Sequence, residues 1–223
     1  CLDNFFTGHP DNVAALAEGP HARRFELVRH DVVEPFYAEV DEIFHLACPA
    51  SPVHYQRNPV RTIKTAVLGT MNLLELALQT GARMLISSTS EIYGEPEQHP
   101  QREDYRGNVS TTGPRACYDE GKRCGEALAT AFATQHGVAT RIVRIFNTYG
   151  PRMRLNDGRV LPNFVKQALL GEPITIYGDG LPTRSFGFYE DIVEGVWRLA
   201  NADFNQPVNI GTDQERTMLD SAQ

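Results

Sequence analysis

Thr89, Ser90 and Glu91 follow one another at the end of an apolar segment, and Tyr118 and Lys122 come one loop later. The triplet offers two hydroxyls and a carboxylate. The run Tyr118-Asp119-Glu120-Gly121-Lys122 puts a phenol and an ammonium one helical turn apart, on one helix face. A phenol titrates at about 10 and needs help to act as a base at neutral pH. A cation one turn away favours its ionised form. Hydroxyls beside such a pair describe hydride-transfer chemistry on an alcohol, with Glu91 as an additional acid or base. Taken alone, the Tyr-x-x-x-Lys spacing also fits an exposed tyrosine beside a solvated lysine.

That chemistry needs a strand ending near Thr89 and a helix carrying Tyr118 and Lys122. Residues 83–88 supply the strand. A helix begins after Pro114 and ends at Gly137, with proline near its start and glycine past its end. Upstream, strands are expected at 25–28 and 42–47, then a helix over 59–79. Its apolar positions Val60, Ile63, Val67, Met71, Leu74 and Leu78 step by three or four, and the run Ile63, Val67, Met71, Leu74 is expected to face a sheet. Downstream come a strand at 140–146, a helix at 160–170, a strand at 174–177, a helix at 190–200 and a strand at 207–210. Strands alternating with helices predict an α/β fold with a parallel sheet. The stretches 94–114 and 147–159 read as long loops, which tend to carry function.

The 223 residues carry a formal net charge of -7. That balance argues against nucleic acid as a partner, because phosphate backbones need a basic face. No apolar run reaches the length of a membrane span. The expectation is a cytoplasmic chain with no membrane contact of its own, any anchor lying in residues before it. Cys117 and Cys124 share a helix and sit about 10 Å apart along its axis, too far for a disulfide. The seven histidines have no metal-ligand spacing; His45 reads as structural, and no metal site is expected.

Several further blocks keep a fixed order: Asp3-Asn4-Phe5-Phe6-Thr7-Gly8, His30-Asp31-Val32-Val33, His45-Leu46-Ala47, and Arg144 through Pro151. With the Thr89 and Tyr118 blocks and Asn156-Asp157-Gly158-Arg159, they resemble the extended short-chain dehydrogenase/reductases that act on nucleotide sugars. Among these they are most similar to the UDP-glucuronate decarboxylases, along the whole chain. The resemblance implies a doubly wound parallel sheet of Rossmann type, with NAD as cofactor. It implies a cofactor domain over 1–148 and a nucleotide-sugar region over 149–223, of which 186–210 returns to the first domain. The glycine-rich turn of such folds is absent. The chain opens at what reads as the end of the second strand, so the first strand and helix are expected to be missing, as are residues beyond 223.

The same resemblance implies roles. Asp3 would bind the adenosine ribose, with Asn4, Phe5, Phe6, Thr7, Gly8, Asp31, Val32, Leu46, Ala47, Thr65 and Thr148 also on the cofactor. Tyr118 would be the base and touch both cofactor and substrate, Lys122 would hold the nicotinamide ribose, Thr89 would orient the sugar hydroxyl, and Arg184 would join the catalytic set. Phe36, Tyr37, Lys64, Asn147, Arg159, Asn163, Tyr177 and Arg184 would contact UDP-glucuronate, and Cys48 reads as a packing substitution. Ser90 discriminates within the family. Related 4,6-dehydratases carry an aspartic acid there to protonate a departing hydroxyl, and serine is too weak an acid for that. Glu91 would position the sugar or manage a proton, its other reading being an ion-paired loop carboxylate. A dehydratase or 4-epimerase, or a non-catalytic NAD-binding protein, are the alternatives. The helices at 59–79 and 115–136 resemble the pair that makes a homodimer in this family.

Overall fold

The computed structural model describes all of residues 1–223. Strand β4 (Arg83–Thr89) is its centre, with six of seven residues buried. Its side chains divide by the two-residue period of a strand. Met84 and Ile86 join one apolar cluster, and Leu85 joins another on the opposite face. A strand buried on both faces belongs in a parallel sheet covered by helices. β3 (Glu42–His45), β5 (Thr140–Ile145) and β9 (Val208–Ile210) complete a parallel sheet ordered β3-β4-β5-β9. Thr89 pairs with Ile145, so β4 and β5 end at one level.

β1 (Leu2–Asp3) and β2 (Val28–Arg29) form a separate parallel pair. Residues of β1 and of β3 line one groove of about 1130 Å³. The groove lies where a doubly wound order places a strand between these two. Two small sheets lie beyond β5. β6 (Thr148–Tyr149) pairs with β8 (Gly187–Phe188), and β7 (Thr183–Ser185) with β10 (Glu215–Thr217).

The helices are α1 (Ala14–Ala17), α2 (Pro52–Tyr55), α3 (Pro59–Lys64), α4 (Thr70–Thr80), α5 (Ala116–His136), α6 (Val160–Leu170), α7 (Tyr189–Asn201) and α8 (Met218–Ser221). α4 and α5 cover one sheet face and α7 the other. Gly81 and Gly137 stop α4 and α5 at φ of 72° and 71°, the left-handed conformation that glycine adopts without strain. No helix is long and apolar enough to cross a membrane.

Three expectations change. The helix over 59–79 is α3 and α4 joined by a π-helical segment, Thr65–Gly69, and its buried face is not the predicted one. Of the six predicted apolar positions only Leu74 is buried; Val60, Ile63 and Leu78 are exposed. The buried positions are Thr62, Thr65, Ala66, Gly69 and Thr70, followed on α4 by Leu73, Leu74, Leu76 and Ala77. The reason is close approach to α5: a Cβ at Gly121 would lie 2.9 Å from Ala66 Cβ. Only small side chains fit such a crossing. The buried threonines donate to carbonyls one turn back, Thr65 to Arg61 O at 3.0 Å and Thr70 to Ala66 O at 2.6 Å, so their hydroxyls need no water. Second, residues 174–177 form no strand. Thr175 N–H donates to Gln167 Oε1 at 3.0 Å, so a side chain of α6 satisfies the backbone that a sheet would have paired. Third, the strand expected at 25–28 is only Val28–Arg29.

Candidate active site

After β4 the chain turns at once into a single 3₁₀ turn, Ser90–Tyr93. Thr89 Oγ1 accepts from Glu91 N–H at 3.3 Å and closes that turn. Thr89 also acts on the Tyr118 phenol, favouring its ionised form. Capping and orienting are therefore combined in one residue. Tyr118 lies in the first turn of α5, buried and stacked on Tyr55 with ring centroids 5.0 Å apart. Lys122 follows one turn later, its Nζ 6.0 Å from the Tyr118 ring centroid, and it donates to Ser87 O at 2.6 Å. The fold thus gathers Thr89, Ser90, Glu91, Tyr118 and Lys122 at the C-terminal end of β4.

The electrostatics differ from the expectation drawn from spacing. Burial pushes the Tyr118 phenol well up, nearby Cys48 pushes it further, and Thr89 opposes them. The Lys122 ammonium donates to Ser87 O, and its charge also acts to lower the pKa values of His45 and Cys48. The chain by itself therefore holds Tyr118 as a protonated phenol.

His45, at the end of β3, is buried, and its Nε2 lies 3.0 Å from Thr70 Oγ1. Burial, then Lys122, lowers its pKa from 6.5 to about 3. A lowered folded-state pKa means that stability is present above the unfolded value of 6.5 and is lost as pH falls toward about 3. Thermal unfolding midpoints are expected to drop over that window, with a shallower drop in His45→Gln. Equal slopes in the two chains would remove His45 as the cause.

The groove between β1 and β3 collects Asp3, Asn4, Phe6, Thr7, Phe36, Asp31, Val32, Leu46, Ala47 and Thr65. Asp3 Oδ1 accepts from Phe5 N–H at 2.7 Å, and a Cβ at Gly8 would strike the Asp3 carboxylate. Phe5 adopts a φ of 58°, which turns the loop back over Asp3. A carboxylate with an open side at the rim of a large groove suits a ribose diol, so these residues fit the adenosine end of a dinucleotide. Asp31 is already engaged by Asn4 Nδ2, Arg61 and Val33 N–H. Cys48 joins the groove to the chemistry: it lines the groove and packs beside Tyr118.

A second cavity of about 330 Å³ adjoins Cys48 and is ringed by Arg152, Arg154, Arg159, His9 and His54. Arg152 reaches Asn12 O and Arg154 reaches Gly8 O, which tie the 150–159 loop to the first loop. Arg159 pairs with buried Asp157. Other substrate candidates lie apart. Tyr37 and Tyr177 are about four-fifths exposed (78% and 81%), and Lys64 is exposed. Arg184 is exposed on β7 and donates to Thr183 O. Asn163 is half-buried on α6, and Thr148 donates to Phe146 O. Asn147 O accepts from Gly187 N, which lays the segment after Arg184 along β6.

A family model described as the NAD dependent epimerase/dehydratase family matches residues 4–211. The chain belongs to the NAD dependent epimerase/dehydratase family. Within it, the chain is 57% identical over 222 residues to UDP-glucuronic acid decarboxylase 1 of Arabidopsis thaliana, covering 100% of this chain and 50% of that protein. It is 54% identical to UDP-glucuronic acid decarboxylase 1 of Danio rerio, covering 100% of this chain and 52% of that one. The chain spans about half the length of these relatives. Among solved structures, dTDP-glucose 4,6-dehydratase DesIV of Streptomyces venezuelae, solved with NAD bound, has a TM-score of 0.86 at 26% identity, covering 99% of this chain and 68% of that chain. UDP-N-acetylglucosamine 4-epimerase of Methanobrevibacter ruminantium M1 has a TM-score of 0.88 at 25% identity, covering 99% and 71%.

Two charged clusters at this site, one around Arg115 and one around Arg144, were not marked by any motif in the sequence. Arg115 forms an ion pair with Glu91 and lies 3.6 Å from Asp119. Glu91 is therefore an ion-paired carboxylate as well as a neighbour of Thr89. The i,i+4 spacing of Arg115 and Asp119 was visible beside the Tyr-x-x-x-Lys motif, but helix spacing does not tell which face is buried. Behind β4, Arg144 binds Glu126 through two nitrogens and reaches Tyr93 Oη at 2.9 Å and Glu103 O at 2.8 Å. Ser88 donates to the same Glu126. This network holds the residue before Thr89 and the end of the 90–93 turn on one buried ion pair.

Proposed function

We propose that this chain carries the reacting residues of an NAD-dependent UDP-glucuronate decarboxylase that makes UDP-xylose. The observation that carries the reading is Ser90 between Thr89 and Glu91, beside Tyr118, in a chain 57% identical to a protein named for that activity. When bound, NAD takes a hydride from C4 of the sugar, returns it at the end of the turnover, and adds a positive ring that favours the Tyr118 phenolate. Asp3 and the groove residues would hold its adenosine end, and Lys122 its nicotinamide ribose. Tyr118 removes the proton from the C4 hydroxyl, which Thr89 orients. C4 is then a ketone β to the C6 carboxylate. The electrons of the C5–carboxylate bond pass to the C4 carbonyl as carbon dioxide leaves, so no acid is required at Ser90. The resulting C4 enolate is held by Tyr118 and Thr89. A proton returns to C5, delivered through water managed by Glu91. The arginine-ringed cavity beside Cys48 suits an anionic part of the ligand, with Arg159 in its wall. Arg184, Asn147 and Asn163 are assigned to the same substrate, within a nucleotide-sugar region over 149–223.

A 4,6-dehydratase would need an acid where Ser90 stands, and a purely binding role leaves Thr89, Tyr118 and Lys122 without purpose. The test is product analysis with UDP-glucuronate and NAD, on a chain extended at its N-terminus by a strand, glycine-rich turn and helix from a relative. Formation of UDP-xylose and carbon dioxide is expected. A 4-keto-6-deoxy or 4-epimeric product from a UDP-hexose, with none from UDP-glucuronate, defeats the reading. The same extension fills the groove between β1 and β3, so it should raise the unfolding midpoint and bring NAD affinity into the micromolar range. Tight NAD binding by the unextended chain would contradict the need for that turn.

A homodimer is part of the proposal. Val60, Ile63, Leu68 and Leu78 are exposed apolar side chains along the 59–80 segment, left over because small residues fill its crossing with α5. Static light scattering should give twice the chain mass at micromolar concentration, and Ile63→Lys should give the monomer. A monomeric mass for the unsubstituted chain would contradict the pairing.

A further inference from the structure

Two carboxylates share one cation beside Tyr118. Arg115, at the N-terminal edge of α5, forms an ion pair with Glu91 through Nη2, while its Nε lies 3.6 Å from Asp119 Oδ2. The Asp119 side chain is 7% exposed and its Oδ1 is buried without a hydrogen-bond partner. A contact of 3.6 Å is longer than a hydrogen bond. Asp119 is therefore a buried charge with one weak ion contact and one bare oxygen, an arrangement that disfavours the ionised form.

We propose that Asp119 is a positioning residue for the decarboxylation: it sets how strongly Arg115 is committed to Glu91, and so how readily Glu91 handles the proton that returns to C5. This deepens the reading above and rests on it. When Asp119 is ionised it draws the guanidinium through Nε and competes with Glu91. When it is neutral, Arg115 belongs to Glu91 alone and holds Glu91 as a carboxylate. The groups that act on this exchange are Arg115, Glu120, Tyr118 and Cys117 on α5, Glu91 on the 90–93 turn, and Tyr55 on α2. Burial, opposed by Arg115 and aided by Glu120, raises Asp119 from 3.8 to about 6. The exchange therefore falls close to neutral pH. Tyr55 Oη, also buried without a partner, feels the charges of both Arg115 and Asp119, so it reports the same switch.

The test on this chain is nitrogen-15 NMR of the Arg115 Nε–H between about pH 5 and about pH 7, one unit either side of the Asp119 value. The resonance is expected to move with a midpoint near 6, and to stay flat in Asp119→Asn. A wild-type resonance that does not move, or one that moves equally in Asp119→Asn, overturns the proposal. The wild-type titration decides even if the variant does not fold. In the N-terminally extended enzyme, Asp119→Asn should lower kcat on the order of 10- to 100-fold with KM nearly unchanged, and remove an inflection near pH 6 that Asp119→Glu restores. Unchanged kcat and profile would also overturn it. Absence of decarboxylation by the wild type would defeat the functional reading alone, because the NMR titration does not depend on turnover.

Discussion

On the proposed decarboxylase reading, Tyr118→Phe in the N-terminally extended chain is expected to lower conversion of UDP-glucuronate by roughly 10²- to 10⁴-fold, the usual share of one general acid–base group. The ring stays, so its stacking on Tyr55 and its packing against Cys48 and Cys117 stay with it. Only the phenol hydroxyl is removed, which costs on the order of 1 kcal/mol of stability. NAD affinity should be unaffected, because the groove residues lie on β1, β3 and their loops rather than on the Tyr118 phenol. The check is product formation in a single turnover, with NAD binding measured beside it by calorimetry. Conversion within a few fold of the unsubstituted enzyme would remove Tyr118 as the base. A parallel loss of NAD affinity would place its role in binding instead.

The second large effect is on stability. Glu126→Ala leaves the Arg144 guanidinium buried without its carboxylate, and breaking a buried pair in this way costs about 3–5 kcal/mol. The side chains of Arg144 and Glu126 are only 9% and 12% exposed, so water cannot replace the lost partner. The damage should spread to the 90–93 turn and the 101–103 segment, since Ser88, Tyr93, Glu103 and Asn209 all hang on this network. Glu126→Leu combined with Arg144→Met should cost less than Glu126→Ala, because no charge is then left buried. Urea unfolding of the single and double variants measures both. A loss under about 1 kcal/mol for Glu126→Ala would show that the pair is solvated or replaceable.

Much of the architecture is local and was legible. The helices at Ala116–His136 and Val160–Leu170 and the strand at Arg83–Thr89 lie within a residue or two of their expected bounds. Proline, glycine and apolar spacing act through neighbours in the chain, so they can be read from it. The reacting set was legible for the same reason: Thr89 to Glu91 is one turn, and Tyr118 to Lys122 is one helical turn. The buried face of the 59–80 helix was not legible. Over residues 62–70 its apolar period pointed the larger side chains inward, whereas Gly121 and Ala66 bring two backbones together there and the buried positions are threonine, alanine and glycine; leucines are buried only further on, at Leu73, Leu74 and Leu76.

By itself the sequence determined the α/β class, the strand-end triplet, the phenol and ammonium one turn apart, and the family resemblance those residues carry. Tertiary structure alone decided the electrostatics. Burial, then Cys48, pushes the Tyr118 phenol up, and the Lys122 ammonium one turn away donates to Ser87 O. Glu91, Arg115 and Asp119 became one group only when the turn after β4 met the first turn of α5. Spacing along a chain fixes which side chains share a face, but desolvation and ion pairing depend on what the other elements bring to that face.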